Sequence, residues 1–261
     1  MKYKTLVLFL CCMTLHIQAS IQAIVFAAGK STRFDSDTPK LLTHIGKQAM
    51  VLYPVKAAAQ LDMPITMVIG FKKELVKQEI VQALPQHDIT FTVQDKQLGT
   101  GHALQCTKEF WHADDILIMN GDHPLTNAKL LQHFIDEHKK TNAQFSILTA
   151  QAEPNCAYGR IVKKDGVTRI VEAVDFKKNP EDYPLVNAGF YLISRTFLEE
   201  HIDKLWLHTN KNEYYITDLI EIASKHNVDV NLVHVPFDYV YGVNTQEEFL
   251  HAQTLLQKHI Q

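Results

Sequence analysis

Short apolar runs and longer amphipathic stretches take turns along the first half of this chain. Ile21 to Phe26, Ile65 to Ile69, Ile89 to Val93 and Ile116 to Met119 are compact runs rich in β-branched residues, the pattern of buried strands. Between them, Met50 to Leu61 keeps Val51, Val55, Ala58 and Ala59 on one side, and Glu74 to Leu84 sets Leu75, Val76, Ile80 and Leu84 near helical spacing. Gly101 to Phe110 predicts a third helix, and Leu41 to Ile45 a short strand that turns at Gly46-Lys47. Strands separated by helices at this spacing predict βαβ units and a mostly parallel sheet.

The pattern changes after a helix at Asn127 to Thr141 and a strand at Phe145 to Gln151. Tyr158 to Val162 and Val167 to Glu172 flank Asp165-Gly166, the signal of a β-hairpin. Asn187 to Ile193 predicts another strand, with Ser194 capping a helix that runs to Leu205. A polar, aromatic entry at Asn212 to Leu219 leads into a helix ending near Lys225; a last strand covers Val228 to Val235, and Thr245 to Lys258 closes the chain as an amphipathic helix. This half reads as mixed or antiparallel β packed beside the first. No repeat, low-complexity tract or linker interrupts the pattern, so residues 21–261 are expected to form one domain.

Composition narrows the chemistry. The 261 residues are 46% hydrophobic and 21% charged with a formal net charge of −3, which gives no electrostatic case for nucleic acid or an anionic membrane. Any phosphate site must therefore be locally basic. Cys11, Cys12, Cys106 and Cys156 have no C-x-x-C spacing, and the 14 histidines show no metal-binding spacing, so neither a disulfide framework nor a zinc site is expected. Residues 1–20 carry Lys2 and Lys4, an apolar stretch from Leu6 to Leu15, and Ala19 before Ser20, the shape of a secretory signal but too short for a comfortable span. A true signal and a dispensable extension or misassigned start both fit. The cytoplasm is the expectation, because the first strand begins at once.

Three stretches carry candidate chemistry. Ile24-Val25-Phe26-Ala27-Ala28-Gly29 ends a strand in residues too small to keep a ligand from the backbone, and Arg33 and Lys40 follow on a polar loop. Such a loop suits a phosphate-rich ligand, although an ordinary βα turn also fits, and it is neither a Walker A loop nor a G-x-G-x-x-G fingerprint. Gln94 to Ala103 offers the amides of Gln94 and Gln97 before Gly99, Thr100 and Gly101; a glycine-rich turn with a polar cap fits equally. Asn120-Gly121-Asp122 puts a carboxylate at a strand end, as a hard-cation ligand or a turn residue.

In order along the chain, A-A-G-x-x-x-R with P-K, Q-x-x-Q-L-G-T-G-H-A, G-D-x-P-L, Y-G-R-I, I-V-E, N-x-G, N-E-Y-Y-I-T-D and G-V-N resemble the sugar-1-phosphate nucleotidylyltransferases. Among these, the resemblance is to the uridylyltransferase domain of bacterial bifunctional N-acetylglucosamine-1-phosphate uridylyltransferase/glucosamine-1-phosphate acetyltransferases, from Ile21 to the C-terminal helix. It implies an α/β, Rossmann-like nucleotidyltransferase domain with a mostly parallel central sheet and a mixed β sugar-binding half. The implied reaction is Mg²⁺-dependent transfer of UMP from UTP to a sugar-1-phosphate, first of all N-acetylglucosamine-1-phosphate, releasing pyrophosphate. Another sugar-1-phosphate, a phosphorylated alcohol, or a non-catalytic UDP-sugar-binding role are the alternatives. The bifunctional relatives continue into an acetyltransferase β-helix, so neither acetylation nor β-helix trimerisation is expected, and the folded domain is expected to be a monomer or weak oligomer without a membrane partner.

The same resemblance implies roles for single residues. Arg33 and Lys40 would hold the triphosphate and stabilise charge at the attacked phosphorus. Ala27, Ala28 and Gly29 would meet the nucleotide through backbone, and Gln94 would read uracil beside Gln97, Gly99 and Thr100, with Asn120 and Gly121 also near the nucleotide. Asp122 and Asn244 would bind Mg²⁺, and Gly159, Glu172 and Asn187 would face the sugar phosphate. Two family positions differ in the sugar half: Leu185 stands where relatives carry a carboxylate, and Val174 where they carry a lysine. Asn120 also stands where relatives often carry tyrosine. From their place on polar, solvated segments, Arg33→Ala, Lys40→Ala and Asp122→Asn are all expected to leave the fold and its stability nearly unchanged.

Overall fold

A computed structural model describes residues 20–31, 34, 38–152, 156–173, 176 and 183–260. The signal-like segment before Ser20, the candidate Arg33 and the departure at Val174 lie outside the described residues.

Strand β1 (Ile21–Ala27) is nearly all buried, and its apolar residues face two layers. Ala23, Val25 and Ala27 join one core cluster and Ile24 the other, as the two-residue period of a strand requires. The chain then makes a 3₁₀ turn at Lys40–Leu42, a hairpin of β2 (His44–Ile45) and β3 (Gln48–Ala49), and helix α1 (Leu52–Ala59). The turn replaces the strand expected from Leu41, because Lys40 is drawn inward to a buried partner described below. Pro54 sits in the first turn of α1, where its missing N–H costs little.

Strand β4 (Ile65–Ile69), helix α2 (Lys73–Ala83), strand β5 (Ile89–Val93), helix α3 (Gly99–Gln105) and strand β6 (Asp115–Asn120) complete the parallel part. Helix α3 stops earlier than its apolar pattern suggests. The Thr107 hydroxyl donates to the Leu104 carbonyl at 2.6 Å and accepts from the Trp111 indole at 2.8 Å, and the chain breaks into a 3₁₀ turn at Lys108–Phe110.

Helix α4 (Ala128–Thr141) starts where the Asn127 side chain accepts from the Leu130 N–H. Next come β7 (Phe145–Gln151), the hairpin of β8 (Arg160–Lys164) and β9 (Val167–Val171), β10 (Leu185–Ser194), and α5 (Arg195–His201), capped by Ser194 as predicted and followed by a 3₁₀ turn. A small ribbon of β11 (Leu207–His208) and β12 (Glu213–Tyr214) precedes α6 (Asp218–Lys225), β13 (Val230–His234) and α7 (Gln246–Ile260).

Among the described residues the main sheet has nine strands, running β13-β7-β10-β6-β1-β4-β5, with β8 paired to β10 and β9 to β8. The β6/β1, β1/β4, β4/β5 and β13/β7 pairs are parallel, whereas β10 is antiparallel to both neighbours. The mixed half therefore continues the same sheet instead of packing beside it. Helices α1, α2 and α4 bury their apolar residues in one cluster, and α3, α5 and α6 in the other.

Candidate functional site

A cleft of about 380 Å³ opens at the carboxyl ends of the parallel strands, where open α/β sheets leave a crevice. Ala27, Ala28 and Gly29 line it after β1, Gln94 after β5, and Asn120 and Asp122 after β6. Lys40, Gln97, Gly99, Thr100 and Asn244 complete the set of predicted residues on its wall. A second cavity of about 220 Å³ shares Thr100, Asn120, Asp122 and Asn244 with the first, and it is lined by Gly159, Glu172 and Asn187. The two groups assigned from sequence to nucleotide and to sugar thus occupy adjoining cavities. Gly121 lines neither; its N–H donates to the Phe26 carbonyl, and a Cβ there would lie 3.0 Å from that oxygen, so its small size lets β6 end close against β1.

Lys40 occupies the middle of the arrangement. Its Nζ lies 2.7 Å from Asp122 Oδ2, donates to the Val243 carbonyl at 2.6 Å, and reaches Asn244 Oδ1 at 3.4 Å. The Lys40 side chain is only 6% exposed and that of Asp122 20%, which corrects the expectation of two solvated residues on polar loops. Burial alone would raise the Asp122 carboxyl, but the Lys40 ammonium and His123, whose Nδ1 lies 3.1 Å from Oδ1, outweigh it and hold the group far below the usual carboxylate range. Asp122 is therefore an anion at any physiological pH.

Asn244 comes from 122 positions further along the chain, and backbone contacts bring it in. The Val243 N–H donates to the Asp122 carbonyl, and the Gly242 N–H donates to the Tyr158 hydroxyl, which in turn donates to the Val240 carbonyl. Behind this loop, Thr245 and Glu248 form a reciprocal capping box that starts α7. One carboxylate and one amide oxygen then converge on a single cationic nitrogen. Both are hard oxygen donors, and so sparse a protein contribution is what Mg²⁺ accepts when water and phosphate supply its other ligands; the residues present fit that ion. Among the described residues no group of three or more His, Cys, Asp and Glu side chains gathers for a softer metal.

In the first cavity, Gln94 is buried, and its amide nitrogen donates to the Gly99 carbonyl at 2.9 Å and lies 3.0 Å from His102 Nδ1. In the second cavity, Asn187 donates to the Tyr191 hydroxyl and accepts from the Gly189 N–H, while Glu172 accepts from the Thr217 hydroxyl at 3.2 Å. Behind Thr217, Asp218 meets His208 Nε2 at 2.9 Å; burial pushes the Asp218 carboxyl up to about 6 against the opposing pull of His208.

Several wall residues were not singled out from sequence. Tyr215 and Glu213 line the first cavity, Tyr191 and His123 the second. The signal for Glu213 and Tyr215 lies in the N-E-Y-Y-I-T-D stretch, for His123 beside G-D and for Tyr191 just after N-x-G, but residue type alone does not separate a wall residue from core. His123 is buried against Phe190, with ring centroids 5.0 Å apart.

Comparisons with known proteins give the chain's family and fold. A family described as Nucleotidyl transferase matches residues 22–238. The chain is 36% identical over 239 residues to "Bifunctional protein GlmU" of Thermotoga maritima, covering 91% of this chain and 52% of that protein. It is 32% identical over 243 residues to the protein of the same name from Clostridium acetobutylicum, again over 91% and 52%. The chain spans about half the length of these relatives. A UDP-glucose pyrophosphorylase complexed with UDP-glucose is similar in fold, with a TM-score of 0.69 and 20% identity over 92% of this chain and 99% of that one. The inositol-1-phosphate CTP transferase from T. maritima gives a TM-score of 0.68 at 11% identity over 92% and 96%.

Proposed function

The chain belongs to the nucleotidyl transferase family, and from that premise we propose that it transfers UMP from UTP to a sugar-1-phosphate, N-acetylglucosamine-1-phosphate first among them. The observation that carries the reading is the meeting of Lys40, Asp122 and Asn244, from three distant segments, at the junction of two cavities whose walls hold the base-reading and sugar-facing candidates. The 36% identity to a bifunctional GlmU protein over 91% of the chain supports uridylyl transfer in particular.

In this reading an oxygen of the sugar phosphate attacks the α-phosphorus of UTP. A phosphorus–oxygen bond forms there, the bond to the bridging α–β oxygen breaks, and pyrophosphate leaves with the electron pair. The nucleophile is already an anion, so no strong base is needed. The protein's work is to align two anions and to offset the charge that develops on the leaving group. Lys40 and Arg33 supply positive charge, Gln94 reads the base, and Gly159, Glu172 and Asn187 orient the acceptor. Asp122 and Asn244 would hold Mg²⁺, which when bound neutralises phosphate charge. Residues 21–261 act as one catalytic domain, in the cytoplasm where nucleoside triphosphates are abundant. Among the described residues no helix is long and apolar enough to cross a membrane.

Leu185, at the start of β10, is the feature that keeps the acceptor open to other sugar-1-phosphates. The test is pyrophosphate release with UTP, CTP, dTTP and ATP against N-acetylglucosamine-1-phosphate, glucose-1-phosphate and glycerol phosphate, with and without Mg²⁺. UTP with N-acetylglucosamine-1-phosphate is expected to give the highest kcat/KM. A clear preference for a different acceptor would replace the sugar assignment, and a preference for another nucleotide would replace uridylyl transfer.

A further inference from the structure

Gln94 can present either end of its amide to a base, and which end it presents decides what the base must carry. The surrounding contacts fix that choice. The Gly99 carbonyl only accepts hydrogen bonds, so the amide atom 2.9 Å from it is the nitrogen. The same nitrogen lies 3.0 Å from His102 Nδ1. Its second hydrogen has an acceptor there when Nδ1 carries a lone pair and the ring proton sits on Nε2. Nε2 faces Cys106 Sγ at 3.9 Å. Because the Gly99 carbonyl already fixes the nitrogen end of the amide at this point, the Nδ1 that faces it is the ring nitrogen with the lone pair. The Gln94 backbone is held as well, its N–H donating to the Ile69 carbonyl, and the residue is 4% exposed. With both donors committed, the atom left for a ligand in the cleft is the carbonyl Oε1.

We propose that His102 is a positioning residue that takes up the second hydrogen of the Gln94 amide, whose nitrogen end the Gly99 carbonyl sets, so that the cleft offers an acceptor and no donor to the base and selects uracil over cytosine. The inference rests on the assignment of Gln94 to the base in the proposed function. Uracil carries a hydrogen on N3, which Oε1 accepts. Cytosine in the same pose turns a lone pair toward Oε1, and two acceptors face each other in a buried site. His102 touches no reacting atom. It acts by drawing the second amide hydrogen away from the base, a task that Gly99 alone cannot complete.

The test is calorimetric binding of UTP and of CTP, with Mg²⁺, to the full chain and to His102→Leu and His102→Asn. Leucine removes the acceptor at the Nδ1 position, whereas asparagine restores an oxygen close to it. The wild-type protein is expected to bind UTP at least about tenfold more tightly than CTP, His102→Leu to lose about tenfold of that ratio, and His102→Asn to recover most of it. A ratio unchanged in His102→Leu, or a loss of affinity equal for both nucleotides, would overturn the proposal, as would a wild-type protein without preference. Failure of the transferase reading has a different signature: the binding ratios shift as expected while no acceptor supports pyrophosphate release.

Discussion

Lys40 and Asp122 make the tightest charged contact in the cleft, and their burial changes what a substitution there should do. Each is held by the other and by the 243–244 loop, with Nζ to Oδ2 at 2.7 Å. Removing one partner of a buried pair leaves the other charge without compensation. Asp122→Asn is therefore expected to lower the unfolding free energy by roughly 1–3 kcal/mol, moderated by the remaining exposure of Asp122 and by the amide oxygen that Nζ can still use. Chemical denaturation at pH 7 checks this, and an unchanged midpoint would contradict it. The folded carboxyl is depressed below its unfolded value near 3.9, so the pair's contribution is fully present above about pH 5 and fades as pH falls toward the folded value. The difference between wild type and Asp122→Asn should accordingly shrink in strong acid. Sequence could place both residues near phosphate, since a small-residue loop, a lysine and a strand-end aspartate are local signals. It could not show that the lysine turns inward, because that depends on a carboxylate 82 positions away.

At the scale of elements, the contact between α3 and the β11–β12 ribbon separates two uses of glycine. Gly99 begins α3 with φ +90°, and a Cβ on it would lie 2.5 Å from the Tyr214 carbonyl oxygen. Gly29 has no such constraint; a Cβ there would meet nothing within 4 Å, and it lines the first cavity. Gly99→Ala is expected to cost roughly 2–3 kcal/mol, from its left-handed backbone and the displaced ribbon. Gly29→Ala should stay within about 0.5 kcal/mol of wild type while weakening UTP binding, because its methyl group enters the open space that the proposed function gives to a phosphate. Denaturant midpoints and UTP titration separate the two, and equal stability losses would refute the distinction. The elements themselves were readable wherever one residue period ran without competition: β4, β5 and β7 follow their apolar runs residue for residue. Periodicity misleads where a side chain interrupts the backbone, as Thr107 does just after α3, or where a distant partner imposes a turn, as at Lys40–Leu42.

Over the whole molecule, antiparallel β10 lies between β6 and β7 and joins the two halves into one sheet. That insertion lets a loop after β6 and residues of β10 share the second cavity, with Asp122 and Asn187 both on its wall. Motif order along the chain hinted at two functional halves, but strand order is a property of pairing between distant segments, which local periodicity does not encode. The same holds for Asn244, which reaches the cleft through Tyr158 and the turn before α7. What the assembled cleft is proposed to do is move one uridylyl group between two phosphates. Phosphorus NMR of UTP, N-acetylglucosamine-1-phosphate, Mg²⁺ and the protein in one tube follows every phosphorus atom of that exchange. The account predicts loss of the UTP and sugar-phosphate signals together, with UDP-sugar and pyrophosphate appearing in equal amounts, and a far slower reaction with Lys40→Ala. UTP and sugar phosphate left unchanged, or UTP hydrolysed with the sugar phosphate untouched, would contradict it.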